Sequence, residues 1–183
     1  SSRYNFLFKK SLNLYILEVD EIIMKIRTAK IQDIESIIPV FLDYEKASES
    51  YLSKKLKSMR NKKQPLKKFI SLAFKKDIQQ KNGKFLVMED DGKIVGYIFG
   101  EIRDDKHPLF KRPKTGEFND LAVLKNYQGK GIASKLWNEL ENWFIKKNCE
   151  MVTLSVNVNN SAQEIYAKWG FEKFYLRMIK KLK

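Results

Sequence analysis

A chain of 183 residues that is 43% hydrophobic and 13% aromatic can bury one sizeable core, so one domain, or one domain with an appendage, is expected. Cys149 is alone, which rules out an internal disulfide and points to a reducing, cytoplasmic setting; His107 is the single histidine, which removes any His-based triad and any zinc site using two histidines, and no metal is expected. The net charge of +14 is uneven: Lys46 to Lys81 holds twelve Lys or Arg against Glu49 and Asp77, a net +10, which reads as a solvated Lys-rich helical face or as a dock for an anionic partner such as an acidic peptide, nucleic acid or the ribosome.

Residues 1–23 are apolar but broken by Lys9, Lys10, Glu18, Asp20 and Glu21. Leu12 to Leu17 is too short for a signal-peptide core and holds Asn13, so these residues read as an extension of unknown role ahead of a domain at 24–183. No stretch approaches transmembrane length. Met24 to Ala29 reads as a first strand, and Ile34, Ile37, Ile38, Phe41 and Leu42 mark an amphipathic helix that contains Pro39. Leu52, Leu56 and Met59 form a weak stripe, Asn61 to Gln64 interrupts it, and Pro65 opens a helix with the stripe Leu66, Phe69, Ile70, Ala73, Phe74 and Ile78, ended by Asn82-Gly83.

The period then becomes strand-like. Lys84 to Glu89 and Lys93 to Arg103 flank Asp90-Asp91-Gly92, a hairpin signal, and Asp104 to Lys114, with Pro108 and Pro113, is a loop. Gly116 to Leu124 is a strand, Ile132 to Lys147 a helix with Ile132, Leu136, Leu140 and Phe144 on one face, and Met151 to Val156 a strand. Asn159 to Trp169 is a last helix closed by Gly170, and Phe171 to Leu182 a last strand. The order β-α-α-β-β-β-α-β-α-β is that of a mixed α/β domain without internal repeats.

Between the strand at Leu121-Ala122-Val123 and the helix from Ile132 lies Gln128-Gly129-Lys130-Gly131. Two glycines let the main chain approach an anion closely, and first-turn N–H groups have no partner within the helix, so this is a site for phosphate. A Walker loop is excluded, because no Gly-Lys pair has a glycine five positions earlier. A dinucleotide fingerprint fits poorly: Ser134 stands at the third glycine, and Glu150 precedes the next strand rather than following it.

Gln128-Gly129-Lys130-Gly131-Ile132-Ala133 resembles the Q/R-x-x-G-x-G/A pyrophosphate motif of the GNAT superfamily of acetyl-coenzyme A dependent N-acetyltransferases. About thirty residues on, Asn159-Asn160-Ser161-Ala162-Gln163-Glu164-Ile165-Tyr166-Ala167-Lys168-Trp169-Gly170-Phe171 resembles that family's N-x-x-A-x-x-x-Y-x-K-x-G-F signature. The resemblance covers Met24 to Leu182. It implies a single α/β (α+β) domain with a mixed, mostly antiparallel central sheet, one splayed parallel pair and flanking helices.

By the same resemblance, acetyl-CoA is the cosubstrate. It would be bound by Leu121, Ala122, Val123, Gln128, Gly129, Lys130, Gly131, Ile132, Ala133, Ser134, Asn159, Ala162 and Tyr166, with one N–H among Leu121, Ala122 and Val123 facing the developing oxyanion. Tyr166 matches the general acid, and Asn159 is expected to cap the last helix. Many family members carry a carboxylate where this chain has Asn119, so the base falls to Glu117, Asp120 or Glu101, or to relayed solvent. By two-residue alternation Glu117 and Asn119 share one face and Asp120 takes the other.

The acceptor would enter beside the Lys-rich segment and the loop 104–114, a cationic rim with no acidic cluster to offset it. A protein or peptide amine is therefore the leading acceptor, with a small-molecule amine second, and free polyamines are disfavoured. A non-catalytic coenzyme-binding module is the alternative. Neither nucleic acid nor membrane is an expected partner, because Phe69 and Phe74 read as buried; a monomer or homodimer is expected.

Overall fold

The computed structural model describes residues 24–58, 66–103 and 113–180. The expected extension 1–23, the Asn61 to Gln64 interruption with Pro65 after it, and the loop around His107 and Pro108 lie outside these. Five strands form one sheet in the order β1-β2-β3-β4-β5: β1 Lys25–Thr28, β2 Gly83–Asp90, β3 Lys93–Arg103, β4 Thr115–Val123 and β5 Met151–Leu154. The first four pair antiparallel and β4 pairs β5 in parallel. The helices are α1 Ile34–Ser48, α2 Lys54–Lys57, α3 Leu66–Gln79, α4 Ile132–Lys146 and α5 Ala162–Lys168.

Both faces of the sheet are covered, which is why β2 and β3 read as nearly continuous apolar runs. On one face Ile37, Ile38, Ile70 and Phe74 of α1 and α3 pack against Phe85, Val87, Tyr97 and Phe99. On the other, Ile132, Leu136, Leu140 and Phe144 of α4 pack against Leu86, Met88, Ile98 and Phe118. The α4 stripe is therefore buried as its four-residue spacing predicts. The α3 stripe is narrower than expected. Ile70 and Phe74 are buried, but Phe69 is 65% exposed, because a residue one position away is rotated by about 100° off a face that meets a single sheet.

Two departures matter for the site. Phe99 pairs with Asp120 and Gly100 with Phe118, so Asn119 is an extra, bulged residue on β4. Alternation is reset there. Asp120 lands opposite Phe99 on the α1–α3 face, the face that Glu117 also takes through its pairing with Glu101, which corrects the expectation that Glu117 and Asp120 oppose each other. The last strand is also missing: residues 171–180 join no ladder, and Phe174, Tyr175, Leu176, Met178 and Ile179 are 62–90% exposed. Gly170, at φ +88°, turns the chain, and of the described residues beyond it only Phe171 packs against the core. An alternating apolar pattern without a partner edge leaves backbone groups unpaired and makes no strand.

The α4–sheet distance is set by a close approach. A Cβ on Gly116 would lie 2.6 Å from Cδ1 of Phe144, a separation that carbon atoms do not tolerate. Gly116→Ala is expected to destabilise the protein by about 1–3 kcal/mol, read as a lowered urea midpoint at unchanged slope.

Candidate active site

The ladder between β4 and β5 runs from Thr115↔Met151 to Phe118↔Leu154 and stops one residue before the bulge. Beyond it, Asp120 to Val123 pairs with β3 alone, and Ser155 to Asn157 diverges as irregular chain. The gap is a cavity of about 970 Å³. One wall is Leu121, Ala122 and Val123; one end is Gly129, Gly131, Ile132, Ala133 and Ser134; the far side holds Ala162 and Tyr166.

Gly129 and Gly131 both have φ +76°, and an added Cβ at either would meet nothing within 4 Å. The backbone conformation demands glycine there, not a lack of room. Gly131 sits immediately before the first turn of α4, whose leading N–H groups have no carbonyl four residues earlier. Gln128 serves the turn itself, since its Nε2 donates to the Val123 carbonyl (3.1 Å). Lys130 does not border the cavity; its Nζ lies 4.7 Å from the centre of the Tyr127 ring. The backbone N–H of Lys125 donates to Asp43 Oδ2 (2.8 Å), which ties this turn to α1.

Asn159 does not cap α5. The N-cap position is Ser161, whose side chain makes no cap bond; the residue before it, Asn160, accepts at Oδ1 from the Ala162 N–H (2.9 Å), while Asn159 Nδ2 donates to the Tyr51 carbonyl (3.2 Å) and holds the end of the α1 arm. One residue separates the two roles, and both are Asn, so the residue type could not distinguish them.

Tyr166 is half-buried, its ring edge-on to Phe118 with centroids 5.7 Å apart. Burial, with smaller contributions from the neighbouring Tyr44 and Asp120, pushes its phenol up to about 12. Trp169 Nε1 donates to Ser134 Oγ (3.3 Å), so α5 is fastened to the first turn of α4.

Of the three carboxylates proposed as base, only Asp120 borders the cavity. Burial pushes it up to about 6; the Tyr97 hydroxyl, donating at 2.7 Å, and the Leu121 N–H oppose this, while Asp77 and Glu45 add to it. Glu117 is ion-paired with Arg103, and Glu101 accepts from Gln80 and from Asn119 Nδ2 (3.3 Å). A further wall was not foreseen from the sequence: Tyr44, Glu45, Ser48, Tyr51 and Leu52 at the end of α1. Tyr44, Glu45 and Ser48 share one side of the helix and Tyr51 and Leu52 follow in the turn beyond it, but only the packed fold shows which side looks inward.

Among the described residues, no group of three or more His, Cys, Asp or Glu could hold a metal ion, and no helix is long and apolar enough to cross a membrane. The family model described as the acetyltransferase (GNAT) family matches residues 48–171, and the chain belongs to this family. It is similar to an uncharacterized N-acetyltransferase of Archaeoglobus fulgidus, 27% identical over 145 residues that make up 79% of this chain and 90% of that protein. It is also similar to an N-alpha-acetyltransferase of Sulfurisphaera tokodaii, 33% identical over 105 residues, 55% of this chain and 63% of that protein. Its fold matches an aminoglycoside N-acetyltransferase, AAC(6')-Iy, solved in complex with CoA, at a TM-score of 0.65 and 16% identity over 87% of this chain and 94% of that one. The protein is an N-acetyltransferase.

Because Asp120 is harder to ionise folded than unfolded, it favours the native state at low pH and loses that contribution as pH rises through about 6. Asp120→Asn keeps an acceptor for the Tyr97 hydroxyl and removes the buried charge. It is expected to raise stability at pH 8 by ~3 kcal/mol and to change it little at pH 4, measured by denaturant unfolding at both.

Proposed function

We propose that the protein transfers the acetyl group of acetyl-CoA to a peptide or protein amine by direct attack on the thioester. The observation that carries this is the cavity where β4 leaves β5, which brings Leu121 to Val123, Gly129, Gly131 to Ser134, Asp120 and Tyr166 around one space. The coenzyme fits the donor set: left-handed glycines and unpaired first-turn N–H groups suit a pyrophosphate, and a β4 backbone paired on one side only suits the amides of the pantetheine arm. An N–H of Leu121, Ala122 or Val123 would face the thioester oxygen as it gathers charge. The likeness to an N-alpha-acetyltransferase at 33% identity supports a peptide amine as acceptor.

Asp120, poised at about 6, is ionised at neutral pH and takes a proton from the incoming ammonium, freeing its lone pair for attack on the carbonyl carbon. The carbon–sulfur bond then breaks, the electron pair leaves on sulfur, and the nitrogen, now bonded to the acyl carbon, gives up its second proton to solvent. Tyr166, pushed up to about 12, is a weaker acid than an ordinary thiol at ~8.5, so full proton transfer from it is uphill. It serves as an O–H donor that holds the leaving thiolate, and the proton comes from solvent.

Acetyl-CoA is expected to raise the melting temperature through binding to the native state, and Gly131→Glu to abolish the shift by straining a left-handed position and repelling the pyrophosphate. No shift in the wild type overturns the coenzyme assignment. In a thiol-release assay against peptides, polyamines and amino sugars, kcat/KM should rise with pH through about 6, a limb that Asp120→Asn removes. Tyr166→Phe should lower kcat about 10- to 100-fold with coenzyme affinity little changed; unaltered turnover would remove Tyr166 from the chemistry.

A further inference from the structure

At the end of α1 the chain tightens into a 3-10 turn, Glu49–Tyr51, and then runs extended at Leu52. A helical run that stops leaves its last carbonyls without an N–H three or four residues on, and the Tyr51 carbonyl is one of these. Asn159 Nδ2 donates to it (3.2 Å) across 108 residues of sequence. The donor is itself held still. The Asn159 N–H donates to Asn157 Oδ1 (2.9 Å), the Asn160 N–H to the Asn157 carbonyl (2.9 Å), and the Gln163 side-chain amide to the Val158 carbonyl (2.8 Å), so residues 157–160 form a turn braced to the start of α5.

Tyr51 and Leu52 border the cavity and Asn159 does not, although Asn157 and Asn160 of the same turn do. The neighbours of Tyr51 fix which part of the cavity it walls. Burial pushes the Tyr44 phenol up, and Asp120, Glu45 and Tyr51 add to this, so Tyr51 stands beside Tyr44 and Tyr44 beside Asp120. An amine that gives its proton to Asp120 therefore has the rest of its molecule against this wall.

We propose that Asn159 is a positioning residue for the acceptor: by holding the Tyr51 carbonyl it fixes Tyr51 and Leu52 as the wall against which the body of the acceptor lies, and it is not a ligand of the coenzyme. This rests on the acetyl-transfer reading above and departs from the family resemblance, which gives Asn159 to the coenzyme. Without its anchor the arm 49–52 would have to be ordered each time an acceptor binds, and that entropy weakens acceptor binding. The donor end keeps its own ties, Gln128 to the Val123 carbonyl and Trp169 to Ser134, and is left as it is.

The test is steady-state acetyl transfer to a short peptide with a free N-terminal amine, with acetyl-CoA affinity measured separately by titration calorimetry. Asn159→Ala removes the donor; Asn159→Asp keeps its shape and sets a carboxylate oxygen against the carbonyl. Both should raise KM for the peptide about three- to tenfold with less change in kcat, Asp at least as much as Ala, and leave acetyl-CoA affinity within about twofold. Backbone amides of 49–52 should exchange faster with deuterated solvent in both variants, and those of Leu121 to Val123 at the wild-type rate.

A loss of acetyl-CoA affinity in Asn159→Ala with peptide KM unchanged overturns the proposal and returns Asn159 to the coenzyme. Wild-type kinetics in Asn159→Asp overturn it too, because an ionised carboxylate cannot donate the bond. A fall in both affinities with a lowered melting temperature makes Asn159 a general support of the fold, and the proposal is lost. If wild type binds acetyl-CoA but acetylates no peptide, the peptide reading fails, and the same KM comparison is decided with the polyamine or amino sugar that the thiol-release assay accepts. If wild type does not bind acetyl-CoA, or acetylates no amine at all, the acetyl-transfer reading fails and this proposal falls with it.

Discussion

The parallel β4–β5 ladder ends where β4 takes up an extra residue that bends it, and in this protein Asn119 is that residue. The last β4–β5 pair is Phe118↔Leu154, immediately before the bulge. From there the strands part, a cavity opens between them, and Leu121 to Val123 keep a ladder on the β3 side only. The same bulge rotates Asp120 onto the α1–α3 face, where the Tyr97 hydroxyl meets it and burial raises its proton affinity. One inserted residue thus creates the space for a ligand and the chemical state of the carboxylate beside it.

The elements around that gap are fastened at three points distant in sequence. Asp43 holds the turn before α4, Asn159 holds the carbonyl of Tyr51, and Trp169 holds Ser134. Each bond joins a different pair among the α1 arm, the phosphate turn and the α5 segment, so the cavity is framed on all sides by elements that also constrain one another. Phe144, lying against Gly116, sets how closely α4 approaches the sheet and therefore where its N-terminal end stands.

Much of this was legible in the sequence because it is local. The four-residue stripe of α4, the Asp-Gly hairpin and the left-handed glycines before α4 are periodicities or backbone demands that a few neighbouring residues declare, and the Gln128 to Ala133 and Asn159 to Phe171 motifs carried the family. What escaped is non-local. Nothing in Glu117-Phe118-Asn119-Asp120 announces a bulge, so simple alternation put Asp120 on the wrong face. Phe69 looks like a core residue beside Ile70, and only a single facing sheet leaves it outside. Phe171 to Leu182 alternates like a strand, yet a strand needs an edge to pair with.

Trp169 borders the cavity and stacks on Trp137 with ring centroids 5.5 Å apart and planes 8° from parallel. Two indoles so close and so nearly coplanar couple their excited states, and the outer one also donates from Nε1 to Ser134 at the end of the cavity suited to phosphate. Anything that enters there alters the surroundings of a chromophore pair already present in the chain. The protein therefore carries an intrinsic optical reporter of occupancy, visible as a change in tryptophan emission or in near-ultraviolet circular dichroism, with no label required.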